Sequence, residues 1–115
     1  MAEVILVEAA DTFTHVAVRG KLDAVGVSAA DLPLTGQTVA RRKPAIIDLT
    51  EVGFLASLGI GMLVTIARAM RGHGLRIAVV AASPVVHETL EMTNLGPLVP
   101  VVATREAALQ ALGVV

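Results

Sequence analysis

The stretch Ala45-Ile46-Ile47-Asp48-Leu49-Thr50-Glu51-Val52-Gly53-Phe54-Leu55-Ala56-Ser57-Leu58-Gly59-Ile60-Gly61-Met62 passes from one periodicity to another. Ala45–Leu49 is a short apolar run that reads as a buried strand, and Thr50–Gly53 lead onward to Phe54. From Ser57 the spacing turns helical: Leu58, Met62, Thr65, Ile66 and Ala69 fall at i, i+4, i+7, i+8 and i+11. Arg68 and Arg71 sit where cations suit the helix dipole, and Gly72 or Gly74 supplies the stop.

Upstream, residues 3–8 (EVILVE) and 13–19 (FTHVAVR) are β-branched runs separated by a turn-sized gap, and they predict an antiparallel hairpin. Gly20-Lys21-Leu22-Asp23 ends the second strand. Residues 24–42 carry helical pattern, but Pro33 and Gly36 interrupt it, so two short helical pieces are expected, with Asp31 and Thr35 near their ends. Downstream, residues 75–81 (LRIAVVA) read as a strand. Ser83 then caps a helix with Pro84 at its first position, running to about Met92 and closed by Asn94 or Gly96. Val99–Val102 is a last strand, and Thr104-Arg105-Glu106 open a helix that runs to Leu112 and stops at Gly113.

The order is β-β-α-β-α-β-α-β-α. Strands alternating with helices imply right-handed crossovers, hence an α/β fold: a mixed, mostly parallel sheet with an N-terminal antiparallel hairpin and about four helices. No linker, low-complexity segment or internal repeat divides the chain, so residues 1–115 are read as one domain, a size at which most apolar surface can be buried.

Composition removes several classes of function. With nine Lys/Arg against ten Asp/Glu, the net charge is −1 and the signs are mixed, which predicts no nucleic-acid partner and no anionic-lipid field. Two Phe and no Trp or Tyr leave no platform on which bases could stack. The absence of Cys excludes disulfides, thiolate metal sites and thiol catalysis. Glu3 and Glu8 break any secretory-signal pattern in the first ten residues. The longest uncharged run, Val52–Ala67, has 16 residues against the roughly 20 that span a bilayer. No membrane insertion is expected, and the cytoplasm is the default location.

No phosphate loop and no dinucleotide fingerprint is present; Gly59-Ile60-Gly61 and Gly72-His73-Gly74 lack the third glycine, and no cofactor is expected. His15, His73 and His87 lie on separate elements. His87 and Glu91 share a helix face, but nothing supplies a third ligand; a solvated polar face is the better reading, and no metal is expected. Ser57 follows a strand and opens a helix as a hydrolase nucleophile does, yet Leu55 stands where that motif requires glycine, and no His–Asp pair is arranged to activate the hydroxyl. No catalytic residue and no enzyme activity are predicted.

Ser57 has a simple structural role available, as a helix cap whose hydroxyl accepts a backbone N–H, worth roughly 1 kcal/mol. That leaves the apolar, glycine-rich turn Leu58-Gly59-Ile60-Gly61 unexplained, since two helical glycines cost about 1 kcal/mol each relative to alanine. Two explanations remain open: close helix–sheet packing, or an accessible backbone and apolar surface beside a modifiable hydroxyl.

The run from Asp48 to Gly61 resembles the signature of the STAS domain, the fold of bacterial anti-sigma factor antagonists. Gly20-Lys21-Leu22-Asp23 is similar to the Gly-x-Leu-Asp that ends the family's second strand. Ser83-Pro84-Val85-Val86 with Leu90-Glu91-Met92-Thr93-Asn94-Leu95 resembles its third helix and exit, and Ala107-Ala108-Leu109-Gln110-Ala111-Leu112-Gly113-Val114 its last helix. Four motifs in order span nearly the whole chain.

The resemblance implies a regulatory serine at the start of the second helix. In the antagonists, an anti-sigma factor that is also a serine kinase phosphorylates it. The unmodified antagonist binds that kinase and releases sigma factor, and a phosphatase resets it. By position the phosphoacceptor is Ser57, Asp23 lies near it, and the partner surface comprises Asp23, Ala56, Ser57, Leu58, Gly59, Ile60 and Gly61. The family's usual core, Asp-Ser-Ser/Thr-Gly, is here Ala56-Ser57-Leu58-Gly59, so the preceding acid and following hydroxyl are missing. Two alternatives stay open: a phosphorylation-independent interaction module, such as the cytosolic STAS subunit of a lipid-transport ABC system, and a small-ligand sensor. The nearly all-round apolar helix from Ser57 to Met70 also leaves a homo-oligomer open, or burial under neighbouring helices.

Overall fold

A computed structural model describes residues 2–81, 83–93 and 98–114. The elements are β1 (Ala2–Ala9), β2 (Thr14–Leu22), α1 (Ala24–Thr38) with a 3₁₀ turn at Val39–Arg41, β3 (Ala45–Leu55) and α2 (Ser57–Gly72). They continue with β4 (Ile77–Val80), α3 (Pro84–Met92), β5 (Val101–Val102) and α4 (Arg105–Leu112). The sheet order is β1-β2-β3-β4-β5; β1 and β2 are antiparallel and every later pairing is parallel. This is the mixed α/β sheet that the sequence predicts.

Successive parallel strands that are also neighbours, joined by crossovers of one hand, place their helices on one face. Residues of α1, α2 and α3 accordingly share one core with Val16, Val18, Ile47, Leu49 and Val79. With no further strand to reach, α4 covers the opposite face, where Ala108 and Leu112 pack on Phe13, Ile46, Ala78 and Val80.

Helix α1 corrects one expectation: it is a single helix with Pro33 inside, not two pieces. Gly26, Ala30, Leu34 and Thr38 recur every four residues and are all buried, so one continuous stripe packs on the sheet. Pro33 and Gly36 lie on the exposed side, where losing one backbone hydrogen bond is compatible with the helix. Helix α2 ends as the glycines predict: Gly74 (φ 73°) lets its N–H and that of Leu75 donate back to Arg71 O and Met70 O, each at 2.9 Å. Thr104 caps α4 by accepting from Ala107 N–H at 3.1 Å. Ser83 and Pro84 occupy the expected first positions of α3, although the Ser83 hydroxyl makes no capping bond. The expected closure of α3 at Asn94 or Gly96 falls outside the described residues.

Polar groups on the α4 face are tied together across four elements. Arg105 donates to His15 Nδ1 at 2.9 Å and to Glu8, and its guanidinium lies 5.3 Å from the Phe13 ring centroid. A guanidinium only donates, so Nδ1 is the unprotonated nitrogen, and Nε2–H donates to Asp48 Oδ2 at 2.9 Å. Asp48 Oδ1 accepts from Thr50 N–H (2.9 Å) and from its hydroxyl (2.5 Å). Burial pushes the Asp48 carboxyl up, but the bonds from Thr50 and His15 outweigh it and hold the group below its ordinary value. The folded state therefore releases this proton at lower pH than the unfolded chain. Stability from Asp48 is complete above the ordinary carboxylate range and is lost as pH falls below about 4. Urea unfolding measured across pH should show this acid limb in the wild type, and a shallower one in Asp48→Asn.

Candidate functional site

The parallel strands end on one side of the sheet, and there α1, α2 and α3 begin. The starts of α1 and α2 are joined through the end of β2. Leu22 pairs with Leu55 in the sheet, and Ala56 N–H donates to Leu22 O at 3.0 Å. One residue on, Asp23 caps α1 by accepting from Gly26 N–H at 2.8 Å. The carboxylate expected near Ser57 thus has a structural duty of its own.

Ser57 is exposed, and it is not the cap that its sequence position suggested. Ala56, extended at φ −94° and ψ 173°, occupies the cap position, and no side chain caps α2. Ser57 is the first residue of the helix, so its N–H and that of Leu58 have no intrahelical acceptor. An exposed hydroxyl therefore stands at an uncapped, electropositive helix end.

The glycine question divides between the two residues. A Cβ on Gly59 would lie 2.6 Å from Leu55 Cδ1 and 3.1 Å from Leu22 Cβ, so this glycine lets α2 sit tightly on the strand ends. Gly61 is exposed, with nothing within 4 Å of a Cβ. Gly61→Ala is expected to stabilise the fold by about 0.5–1 kcal/mol, while Gly59→Ala destabilises it by roughly 1–2 kcal/mol. Parallel thermal melts check the opposite signs.

Of the residues expected to meet a partner, Ser57, Leu58 and Gly61 are exposed, Asp23, Ala56 and Ile60 are half-buried, and Gly59 is buried. Ile60 packs against the core. Sequence reading missed Phe54, near the end of β3, and Val25, in the first turn of α1, exposed at 49% and 65%; Leu58, in the first turn of α2, is exposed at 58%. Phe54 comes to the surface because β3 carries an extra residue: Val52 pairs with Gly20 and Phe54 with Lys21, leaving Gly53 bulged. Side chains beyond a bulge change face. The signal was available in the glycine at 53, but its meaning depends on the register.

The structure brings no histidine into hydrogen bonding with Ser57. His15 belongs to the network on the α4 face, and His73 follows the far end of α2. His87 meets Glu91 at 3.1 Å and Ala81 O at 3.2 Å on α3. Among the described residues no three His, Cys, Asp or Glu side chains converge as a metal site would require. No helix among them is long and apolar enough to cross a membrane. The arrangement offers an exposed hydroxyl, free backbone donors and apolar side chains, which suits modification and docking.

Comparison with known proteins gives a consistent result. The STAS domain family model matches residues 4–108. An anti-sigma factor antagonist from Mycobacterium paratuberculosis superposes with a TM-score of 0.85 at 28% identity, covering 98% of this chain and 95% of that one. An anti-sigma-factor antagonist (STAS) domain protein from Planctomyces limnophilus gives 0.78 at 21% identity, over 96% and 97%. The anti-sigma factor antagonist SpoIIAA in its unphosphorylated form gives 0.75 at 19% identity, over 98% and 99%. The phosphorylated form of the Bacillus protein gives 0.67 at 18%, over 95% and 98%. Below 25% identity these likenesses concern the fold alone. No curated protein matches the sequence.

Proposed function

Because the chain belongs to the STAS domain family, we propose that it is an anti-sigma factor antagonist whose working surface is the start of α2. With Ser57 unmodified, it binds an anti-sigma factor that is also a serine kinase, and sigma factor is released. Phosphorylation at Ser57 ends the association, and a phosphatase restores it; the setting is the cytoplasm. The observation that carries this reading is the exposed Ser57 at an uncapped helix N-terminus, on the side of the sheet where Phe54, Leu58 and Val25 are also exposed. The solved anti-sigma factor antagonist from Mycobacterium paratuberculosis, 28% identical over nearly the whole of both chains, supports the antagonist role.

A phosphate adds about −1.5 to −2 charges with three acceptor oxygens. At an uncapped helix N-terminus an anion is stabilised by about 0.3–1 kcal/mol, so the fold itself tolerates the group. The partner interface does not, because a dianion would lose its water among apolar side chains. A second reading, a phosphorylation-independent interaction module, is favoured by Ala56 and Leu58, which remove the acid and hydroxyl that a kinase would read beside the acceptor. The test is binding of the partner kinase to wild-type protein, Ser57→Ala and Ser57→Asp, with intact mass measured after incubation with ATP. Equal binding by all three and no added phosphate would favour the second reading.

A further inference from the structure

The net charge of −1 is distributed unevenly along the strand axis. Among the described residues, the segments that join elements at the pole opposite Ser57 are 10–13, 39–44, 73–76, 93 and 98–100. They carry Arg41, Arg42, Lys43 and Arg76 against one carboxylate, Asp11. Arg68 and Arg71, in the last two turns of α2, extend the same pole, which thus holds six of the nine Lys/Arg; Glu88 and Glu91, in the last two turns of α3, bring its carboxylates to three. Among the described residues, the connectors at the Ser57 pole (23, 56, 81, 83 and 103–104) contain no cation. Within the basic pole, Arg42 is the one non-glycine residue at positive φ (56°) among the described residues, a conformation in which side chains are disfavoured.

At this pole a cavity of about 450 Å³ opens between α2, β4 and α4. Arg71 and Arg76 line it together with Leu75, Ile77, Leu98 and Ala111. The volume is in the range of small-molecule sites. Among the described residues, no carboxylate lies within ion-pair distance of either arginine. Two guanidinium groups with planar donor forks suit a phosphate or carboxylate, and the aliphatic walls suit a hydrocarbon body. A neutral apolar ligand would strip water from the arginines without replacing it. A bare anion would leave the aliphatic wall uncovered.

We propose that this cavity binds an anionic amphiphile, its phosphate or carboxylate head held by Arg71 and Arg76 and its chain lying along Leu75, Leu98 and Ala111. Arg41, Arg42, Lys43 and Arg68 supply the surrounding positive field. The site is separate from the proposed modification site: Ser57 and Arg71 stand at opposite ends of α2, about 20 Å apart.

The test is a titration of the whole protein with decyl phosphate below its micellar concentration, followed by amide shifts in ¹H–¹⁵N spectra. Decanol and inorganic phosphate serve as controls. Saturable one-to-one binding is expected, with shifts centred on Leu75, Leu98 and Ala111. Arg71→Gln and Arg76→Gln should each weaken it about tenfold, one ion pair's worth, and Ser57→Ala should not change it. Both arginines are exposed, so the variants should keep the wild-type spectrum elsewhere. No saturable shift, equal affinity for decanol, or unchanged binding in the doubly substituted R71Q/R76Q protein would overturn the proposal. Sedimentation with phosphatidylglycerol vesicles distinguishes the sources. Vesicle binding that decyl phosphate competes away assigns a membrane lipid, and decyl phosphate binding without vesicle binding assigns a free amphiphile.

Discussion

Replacing Gly26 with alanine is expected to lower the stability of the chain by about 3 kcal/mol or more. Gly26 lies in the first turn of α1, where its N–H donates to the capping Asp23. A Cβ there would lie 1.8 Å from Lys21 O and 2.9 Å from Lys21 C. Both are backbone atoms at the end of β2, so no side chain can swing aside. Relief requires lifting the start of α1 off the strand, which breaks the Asp23 cap and disturbs Leu22, whose carbonyl holds Ala56. Domains of ordinary stability have about 5–15 kcal/mol in all. A fall in Tm of roughly 12 °C or more is therefore expected by circular dichroism. Gly36→Ala, in the same helix with open space around it, is the control and should be neutral or stabilising. If the two variants melt together, the close approach of α1 to β2 is not what holds this end of the fold.

Gly26 also marks where sequence reading stops. Its fault would be a contact with the backbone five residues earlier, set by the angle at which α1 leaves the sheet, and no periodicity records that angle. The alternation of strands and helices was legible, because each element carries its own spacing and its own stop, as at Gly74 and Gly113. Strand β3 was legible only to Leu49. Beyond it, Leu49, Val52 and Leu55 are buried at intervals of three, because register shifts against β2 insert extra residues. A period of three imitates neither strand nor helix, so half of the strand read as a connector. Helix α1 failed for the opposite reason: Pro33 and Gly36 are local breakers, and the buried stripe from Gly26 to Thr38 overrode them. The position of Ser57 at the strand–helix junction was legible, but its freedom from capping was not, since that depends on which residue first turns helical. The basic pole escaped notice because net charge sums over the surface and discards where each charge sits.

Phosphorylation of Ser57 is expected to leave the melting temperature nearly unchanged while weakening the partner kinase's binding by about a hundredfold or more. A tenfold loss corresponds to about 1.4 kcal/mol, so the interface must lose about 3 kcal/mol. Desolvating a charge without a partner is sufficient for that. The fold is spared because the dianion meets the open N–H groups of the uncapped turn, while the Asp23 carboxylate is already engaged by Gly26 N–H. Ser57→Asp reproduces part of the charge and should weaken binding in the same direction, while Ser57→Ala should bind as wild type does. Phe54→Ala and Leu58→Ala, both at exposed positions, should each weaken binding about tenfold with little change in stability, as buried apolar anchors at an interface do. The combination separates the ideas. If Ser57→Asp binds as tightly as Ser57→Ala while Leu58→Ala still weakens association, this pole is a docking surface without a phosphate switch. If Phe54→Ala and Leu58→Ala are silent as well, the partner sits elsewhere, and the exposure of these apolar side chains has another explanation.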